Sequence, residues 1–290
     1  MITVLGASGR TGGEVARRLV AAGERVRAVG RSAERLAGVA GAEPYAGDAG
    51  DAGFLTGAMT GADAAYVMFP YDPTATGYAD EQRRLGDAVV LAAREAGVRH
   101  VVALSSIGAD VAAGTGFVAA LHEQEERLAA LDAVLVLRAG AFYENFGDAL
   151  EMVRAAGVIA DAVDPDVAVP MVATRDVAAE AADALLARDW TGTVVRELHG
   201  PRDLSYAEAT AILGARIGLP DLPYARLPDA ELVGVLHQAG FSAEAAALHV
   251  ELGRAISDGT VVARGPRTSG PTPFEAVADE LAREFLALSR

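Results

Sequence analysis

The 290-residue sequence contains no cysteine and no lysine, so all 25 of its basic side chains are arginine. The absence of cysteine excludes disulfides, thiol nucleophiles and cysteine-ligated zinc. The absence of lysine excludes a Schiff base, a pyridoxal phosphate anchor and a Walker-type phosphate lysine. Any chemistry that this chain performs must therefore rely on other side chains or on a bound cofactor.

Basic clusters and long apolar runs are also missing. The net charge is −15, and no block of like charges interrupts the chain. This balance argues against nucleic acid or an anionic membrane as a partner, since both bind clustered basic residues. Without a basic leader or an 18-residue apolar run, we expect neither a signal peptide nor a membrane helix. The sequence thus predicts a cytoplasmic protein that acts on a small molecule, and it leaves a homodimer open.

The first 13 residues carry the strongest positive signal. A short β-branched strand leads into a glycine loop, and an amphipathic helix follows at once. Gly6 would turn off the strand, Ser8 and Gly9 would let backbone N–H groups approach a pyrophosphate, and Gly12 would let the helix pack closely. The pyrophosphate would lie at the positive end of that helix. This order of elements predicts a dinucleotide-binding unit.

The end of the second predicted strand indicates which dinucleotide is bound. A site that prefers NAD usually has Asp or Glu there, about 20 residues after the glycine loop. This chain has Arg31 instead, with Arg10 in the loop and Arg35 one turn later. Guanidinium groups bind phosphate, whereas a carboxylate would repel it. The cofactor is therefore predicted to be NADP(H), although Arg31 and Arg35 as plain surface charges remain an alternative.

Alternating strand and helix patterns continue along the first half. Apolar segments predict strands at 24–29, 42–46, 64–69, 100–104 and 133–137, and helical periodicity predicts helices at 51–59, 78–96 and 117–131. This alternation is typical of an α/β protein with a doubly wound, Rossmann-type parallel sheet. We predict a nucleotide-binding domain at 1–140.

A smaller, mostly helical lobe that covers the substrate is predicted at 141–290. Its helices are predicted at 142–156, 175–188, 205–217, 229–239, 243–257 and 274–288. One strand at 194–199 is expected to return to the sheet.

Several of these segments together resemble the NmrA-like family of atypical short-chain dehydrogenases/reductases. They are the loop from Gly6 to Gly12, Gly30-Arg31-Ser32, Gly47-Asp48, Ser105-Ser106-Ile107-Gly108 and the stretch from Leu137 to Asn145. The resemblance covers about the first half of the chain in the correct order. Members include NADPH-dependent quinone reductases, reductases of plant pathways, and proteins that bind the cofactor without turning it over.

The resemblance also implies positions around the cofactor. Arg10, Thr11 and Arg31 would surround the adenosine phosphates, and Asp48 would lie near the adenine. Phe69, Pro70 and Ser105 would follow the nicotinamide side. Many relatives have lysine where this chain has His122, and a lysine-based proton relay is therefore excluded here. The Tyr-x-x-x-Lys pair of ordinary short-chain dehydrogenases is excluded for the same reason.

Two residues are candidates for catalysis. His122 is the leading proton donor, because histidine titrates near neutral pH; alternatively, it binds the nicotinamide ribose or orders a neighbouring glutamate. Tyr143 would lie near the substrate cleft, with aromatic packing as its alternative. The remaining histidines, His100, His199, His237 and His249, lack ligand spacing, so no metal site is expected.

The sequence therefore predicts an NADP(H)-dependent oxidoreductase that reduces a small hydrophobic quinone, carbonyl or imine by hydride transfer. A non-catalytic NADP(H)-binding redox sensor is the first alternative. An isomerase or cyclase that uses the same fold without net redox chemistry is the second.

Overall fold

A computed structural model describes residues 1–287 of the chain. Residues 288–290 lie outside the described residues. They include the predicted end of the last helix, at 288, and the end of the predicted lobe. The strands, in chain order, are β1 (Ile2–Leu5), β2 (Val26–Gly30), β3 (Glu43–Ala46), β4 (Ala64–Val67), β5 (His100–Ser106), β6 (Ala133–Ala139), β7 (Ala141–Phe142), β8 (Ile159–Asp161), β9 (Met171–Val172), β10 (Gly192–His199), β11 (Tyr224–Arg226) and β12 (Arg267–Ser269).

Helices connect most of these strands. In chain order they are α1 (Arg10–Ala21), α2 (Ala33–Ala37), α3 (Ala52–Met59), α4 (Tyr78–Glu95), α5 (Val118–Leu128), α6 (Leu150–Ala156), α7 (Thr174–Ala187), α8 (Tyr206–Ile217), α9 (Asp229–Gln238), α10 (Ala243–Ser257) and α11 (Phe274–Ala287). None of the helices within residues 1–287 is long and apolar enough to cross a membrane.

Eight strands form one parallel sheet in the order β12-β10-β6-β5-β4-β1-β2-β3. Its central strands are apolar on both faces because helices cover both. On one face, Val15, Leu19 and Leu185 bring α1 and α7 against the sheet. On the other face, α3, α4 and α5 pack through residues such as Leu55 and Leu128. The predicted α/β, doubly wound architecture is confirmed.

The second half of the chain also contributes to this sheet. β10 pairs in parallel with β6 along seven residues, and β12 adds a three-residue edge strand beside β10. Residues 194–199 thus lie within the sheet, and β10 begins two residues earlier than the predicted strand. A three-residue edge strand such as β12 is too short to leave a periodic pattern in the sequence.

Apart from α7, which packs on the sheet, the other elements after residue 140 form a smaller unit beside the carboxyl edge of the sheet. Its hydrophobic core joins α6, α8 and α11, and includes Phe146, Leu213 and Phe274. The continuous helix predicted at 142–156 is wrong. Residues 141–142 pair with β9 as β7, a 3₁₀ turn spans Tyr143–Gly147, and only Leu150–Ala156 is α-helical. Pairing with a distant strand outweighed the local helical pattern.

Candidate functional site

The candidate site lies at the carboxyl edge of the parallel sheet. The chain runs outward from β1 through β2 to β3, then crosses to β4 and continues in the opposite direction. A crevice opens at such a switch point, and ligands of open α/β sheets bind there. The β1–α1 loop lies in this position, and the loops after β4 and β5 border it.

The loop between β1 and α1 has the backbone of a phosphate cradle. Gly6 has a φ of +68°, and a Cβ there would lie 2.6 Å from the sulfur of Met68. A Cβ on Gly12 would lie 2.5 Å from the Gly6 carbonyl oxygen, so the helix can approach the strand only with glycine at this position. No side chain caps α1, and the N–H groups of its first turn therefore have no partner within the helix. Backbone donors and space are both available for an anion.

Arg31 directly follows β2 and is exposed beside this cradle. Among residues 1–287, no hydrogen bond or ion pair involves its side chain. Its positive charge acts on two nearby carboxylates, and it helps to lower the pKa values of Asp48 and Asp72. Arg35, by contrast, donates a hydrogen bond from Nη2 to the Ser8 carbonyl oxygen at 3.0 Å. Arg31 is thus the available cation, and Arg35 supports the loop.

Arg10 connects the glycine loop to the smaller lobe. Its Nη2 lies 3.2 Å from Oδ1 of Asp148, and its Nη1 donates to the Glu144 carbonyl oxygen at 3.4 Å. Both side chains of the ion pair are more than half exposed. The carboxylate of Glu144 points elsewhere and accepts hydrogen bonds from the backbone N–H and the hydroxyl of Thr174 at the start of α7. Thr11, the next loop residue, is buried.

Asp48 follows β3 at the same edge. It accepts hydrogen bonds from Arg84 on α4, with Nη1 3.0 Å from Oδ2, and from the backbone N–H of Gly50. The hydrogen bond from Arg84 is the largest of the effects that hold the pKa of Asp48 below its usual value. Asp48 therefore remains ionised near Arg31, at the far end of the crevice.

Aromatic side chains surround the loop after β4. Phe69 packs on the sheet core, and the carbonyl oxygen of Pro70 accepts a hydrogen bond from Gln82 at 2.8 Å. Tyr71 is 38% exposed, and its ring centroid lies 4.9 Å from that of Phe117, just before α5. No local pattern pairs Tyr71 with Phe117, because 46 residues separate them in the chain. Together these rings form an apolar wall beside the crevice.

Ser105, at the end of β5, is tied into a buried ionic network. Its hydroxyl donates to Oε1 of Glu125 at 2.5 Å, and Glu125 accepts two further hydrogen bonds from Arg138 on β6. This hydroxyl is thus held by a carboxylate, as expected of a positioning residue rather than a nucleophile. The roles of Glu125 and Arg138 could not be predicted, because nothing in a single sequence pairs a helix residue with a strand residue 13 positions later.

His122 lies on α5 facing the loop after β5. Its Nδ1 is 2.8 Å from the Ala109 carbonyl oxygen, so this nitrogen must carry the hydrogen and donate it. Nε2 is left as the atom that can accept a hydrogen bond or be protonated, and it lies 3.6 Å from Oε1 of the exposed Glu126. The ring is 23% exposed and therefore accessible to a ligand.

Tyr143 lies away from the crevice. Its side chain is fully buried in the core of the smaller lobe, where its ring centroid is 5.2 Å from that of Phe274. Its hydroxyl has no hydrogen-bond partner among the described residues, and burial raises the pKa of Tyr143 to about 12. The buried ring makes the contacts of aromatic packing, which is the alternative role given for Tyr143. Within residues 1–287, no three His, Asp or Glu side chains are grouped as metal ligands.

Comparison with known proteins adds to this geometry. The model of the NmrA-like family matches residues 1–246. The chain is 34% identical over 223 residues to a (4-alkanoyl-5-oxo-2,5-dihydrofuran-3-yl)methyl phosphate reductase of Streptomyces griseus, which covers 76% of this chain and 75% of that protein. It is 30% identical over 224 residues to an NAD(P)H azoreductase of Xenophilus azovorans, with the same coverage.

Solved structures show the same fold over the whole length. The Escherichia coli NADPH-dependent quinone oxidoreductase complexed with NADPH superposes with a TM-score of 0.75 at 23% identity, covering 100% of both chains. The Citrobacter sp. triphenylmethane reductase complexed with NADP(H) gives a TM-score of 0.80 at 20% identity and covers 97% of this chain and 100% of that one. The glycine loop and the eight-stranded sheet agree with the family match. This chain therefore belongs to the NmrA-like family.

Proposed function

We propose that this protein is an NADP(H)-dependent oxidoreductase that reduces a small hydrophobic quinone, carbonyl or imine. The observation that carries the proposal is the free Arg31 beside an uncapped, glycine-lined cradle at the switch point of the sheet. The names of the relatives support it, since they include an NAD(P)H azoreductase and a furanone phosphate reductase. The proposed arrangement is a cofactor domain at 1–140 with the remaining residues as a covering lobe.

The residues of the cradle fit a phosphorylated dinucleotide. The backbone N–H groups from Arg10 to Gly12 would bind the pyrophosphate at the positive end of α1. Arg31 would bind the 2′-phosphate, since it has no competing partner in the described part of the chain. The Arg10–Asp148 ion pair is exposed, and a phosphate can draw Arg10 from it at little cost.

The cofactor would supply the hydride, and the protein would supply position and protons. The loops after β4 and β5 lie beside the reactive end of the crevice, with Phe69, Pro70 and Ser105 along it. The hydroxyl of Ser105 is held at this edge by its hydrogen bond to Glu125. The exposed Tyr71 and the half-buried Phe117 would give a flat, apolar acceptor a surface on which to stack.

His122 has two available roles through Nε2. It can donate a proton when charged, or accept a hydrogen bond from a ribose hydroxyl when neutral. The hydrogen bond from Nδ1 to the Ala109 carbonyl oxygen supports the second role, because it leaves Nε2 as the acceptor of the neutral ring. We therefore assign His122 to the nicotinamide ribose.

Oxidation of NADPH, followed at its absorbance band, tests the proposal across a panel of quinones, enones and imines. We expect consumption with at least one acceptor class, and slower consumption with NADH. Tight NADPH binding with no turnover across the panel would instead identify a sensor. Conversion of a substrate without net cofactor oxidation would identify an isomerase or cyclase.

A further inference from the structure

Helix α10 of the smaller lobe contacts the two loops that border the crevice where the acceptor is proposed to bind. The N–H of Ser242 donates to the Pro73 carbonyl oxygen at 2.8 Å, just before the helix begins. Oε2 of Glu244 accepts hydrogen bonds from the N–H groups of Gly77 and Tyr78 at 2.8 and 3.1 Å. Thus the start of α10 is attached to the loop that follows β4.

The middle of α10 lies on the loop that follows β5. Any side chain on Gly116 would collide with the Leu248 carbonyl oxygen, so the two backbones are in direct contact there. The first loop carries Phe69 and Pro70, which are proposed to border the nicotinamide. The second loop begins just after Ser105, also proposed there, and leads to Phe117. A side chain from this part of α10 therefore faces the acceptor side of the crevice.

His249 occupies that position. Its ring centroid lies 6.5 Å from that of Phe117 and 6.2 Å from that of Phe241. Phe117 in turn contacts Tyr71, so His249 adjoins the apolar wall described above. The side chain is 28% exposed, which leaves room for contact with a small molecule.

The orientation of the ring is fixed by a carboxylate. Nε2 of His249 lies 2.8 Å from Oδ1 of Asp161 on β8, and an ionised carboxylate only accepts, so Nε2 carries the hydrogen. Nδ1 has no hydrogen-bond partner within residues 1–287 and is the basic atom. A histidine held by a carboxylate through one nitrogen and free at the other is the arrangement that stabilises an imidazolium during proton transfer.

The charges around His249 favour a proton at Nδ1. Burial lowers the pKa of His249, but the hydrogen bond and the charge of Asp161 outweigh it, and the net pKa is raised. Asp161 is the ionisable side chain that faces the ring from β8, while Phe117 and Phe241 face it with uncharged rings. Glu244, on the same helix, is engaged with the loop backbone. The charged form of His249 is thus more favoured than that of an ordinary histidine.

We propose that His249, oriented by Asp161, is the acid that protonates the reduced acceptor. The inference rests on the proposed reductase function and names the group that completes it. As hydride from NADPH forms a C–H bond, the electron pair of the C=O or C=N bond moves to oxygen or nitrogen. The Nδ1–H bond breaks and its proton joins that atom, leaving NADP⁺, a neutral His249 and the protonated product. Water then returns a proton to Nδ1.

Steady-state kinetics of His249→Gln, with a carbonyl or imine acceptor, test this assignment. We expect kcat to fall by roughly 10²–10⁴-fold, the usual range for a general acid, with the dissociation constant of NADPH unchanged. The wild-type kcat should decline at alkaline pH as His249 loses its proton, and this limb should vanish in the variant. In Asp161→Asn the limb should move to lower pH, because the stabilising charge is gone. His237→Gln, an exposed histidine on α9, is the matched control and should retain the wild-type profile.

Different results would overturn different conclusions. A wild-type pH profile and kcat in His249→Gln would overturn the assignment of His249 and leave the reductase intact. An alkaline limb unmoved in Asp161→Asn would show that the carboxylate only fastens α10 to β8. Absence of turnover in the wild-type protein with every acceptor would overturn the proposed function, and the assignment with it.

Discussion

The carboxylate of Glu125 on α5 lies 2.6 Å from Nη2 and 3.0 Å from Nε of Arg138 on β6. Both side chains are largely buried, with 12% and 15% of their surfaces exposed. The hydrogen bonds that Arg138 donates to Glu125 raise the pKa of Arg138, and burial opposes them only in part. The pair fastens α5 to β6 and holds in place the carboxylate that accepts the hydrogen bond from Ser105.

Arg138→Met should therefore destabilise the fold. Removing one partner leaves the Glu125 charge buried and unpaired, which costs about 3–5 kcal/mol. Urea denaturation monitored by circular dichroism would measure the loss. Asp80→Asn, which breaks an exposed pair with Arg83, is the control and should cost less than about 1 kcal/mol. Equal, small losses in both variants would mean that the buried pair contributes no more than a surface one.

Arg31→Ala should change cofactor choice. A charge-assisted hydrogen bond to phosphate contributes about 1.5–3 kcal/mol, so NADPH affinity should fall by roughly tenfold or more. NADH lacks the 2′-phosphate, and its affinity should hardly change. Fluorescence titration with both cofactors measures this. Arg25→Ala, at the opposite end of β2, should leave both affinities unaltered. Equal weakening of both cofactors by Arg31→Ala would show that Arg31 does not bind the 2′-phosphate.

Gly9→Val should abolish binding of both cofactors while the fold survives. A branched side chain would fill the space that the pyrophosphate needs, and its Cβ would already lie 3.2 Å from the Gly6 carbonyl oxygen. Calorimetric titration measures the binding of each cofactor, and far-ultraviolet circular dichroism shows whether the fold survives. Gly234→Val on α9, where a Cβ meets nothing within 4 Å, is the matched control. Normal NADPH binding by Gly9→Val would place the phosphates elsewhere.

His122→Ala should weaken NADPH binding by several-fold and leave the pH profile of kcat intact. This follows from its assignment to the ribose, since one lost neutral hydrogen bond costs about 0.5–1.5 kcal/mol. Cofactor titration and kcat measured against pH distinguish the roles. A fall in kcat of roughly 10²–10⁴-fold, with an unchanged dissociation constant, would identify His122 as the acid instead.

His199 should make the protein less stable in mild acid. Burial, followed by the charge of Arg267, lowers the pKa of His199 below 6.5 in the folded state. As the pH falls, the unfolded chain therefore takes up a proton on His199 at a higher pH than the folded protein does. The contribution of neutral His199 to the free energy of unfolding is present above about pH 6.5 and is lost as the pH falls toward the folded pKa. In urea denaturation measured from pH 7 to pH 5, the free energy of unfolding should decline less steeply in His199→Gln than in the wild type. His237→Gln should retain the wild-type slope, and an unchanged slope in His199→Gln would contradict the prediction.

The first half of the fold was predictable because its signals are local. The glycine loop, the apolar strands and the helical periodicity between them each lie within a few residues, and the structure has them in the predicted order with boundaries shifted by a few residues. The stretch 142–156 was misread because β7 depends on its pairing with β9, about 30 residues away. Tyr143 was placed near the cleft from its position after β6, but that position does not determine which way its ring points.

The sequence alone determined the absence of cysteine and lysine chemistry, the dinucleotide loop and the arginine at the end of β2, since residue type and short spacing suffice for these. Only the tertiary structure paired Glu125 with Arg138 and Asp161 with His249. His249 looked isolated because its partner lies 88 residues earlier in the chain. A carboxylate changes the protonation of an imidazole only at hydrogen-bond distance, and folding alone decides which distant residues come that close.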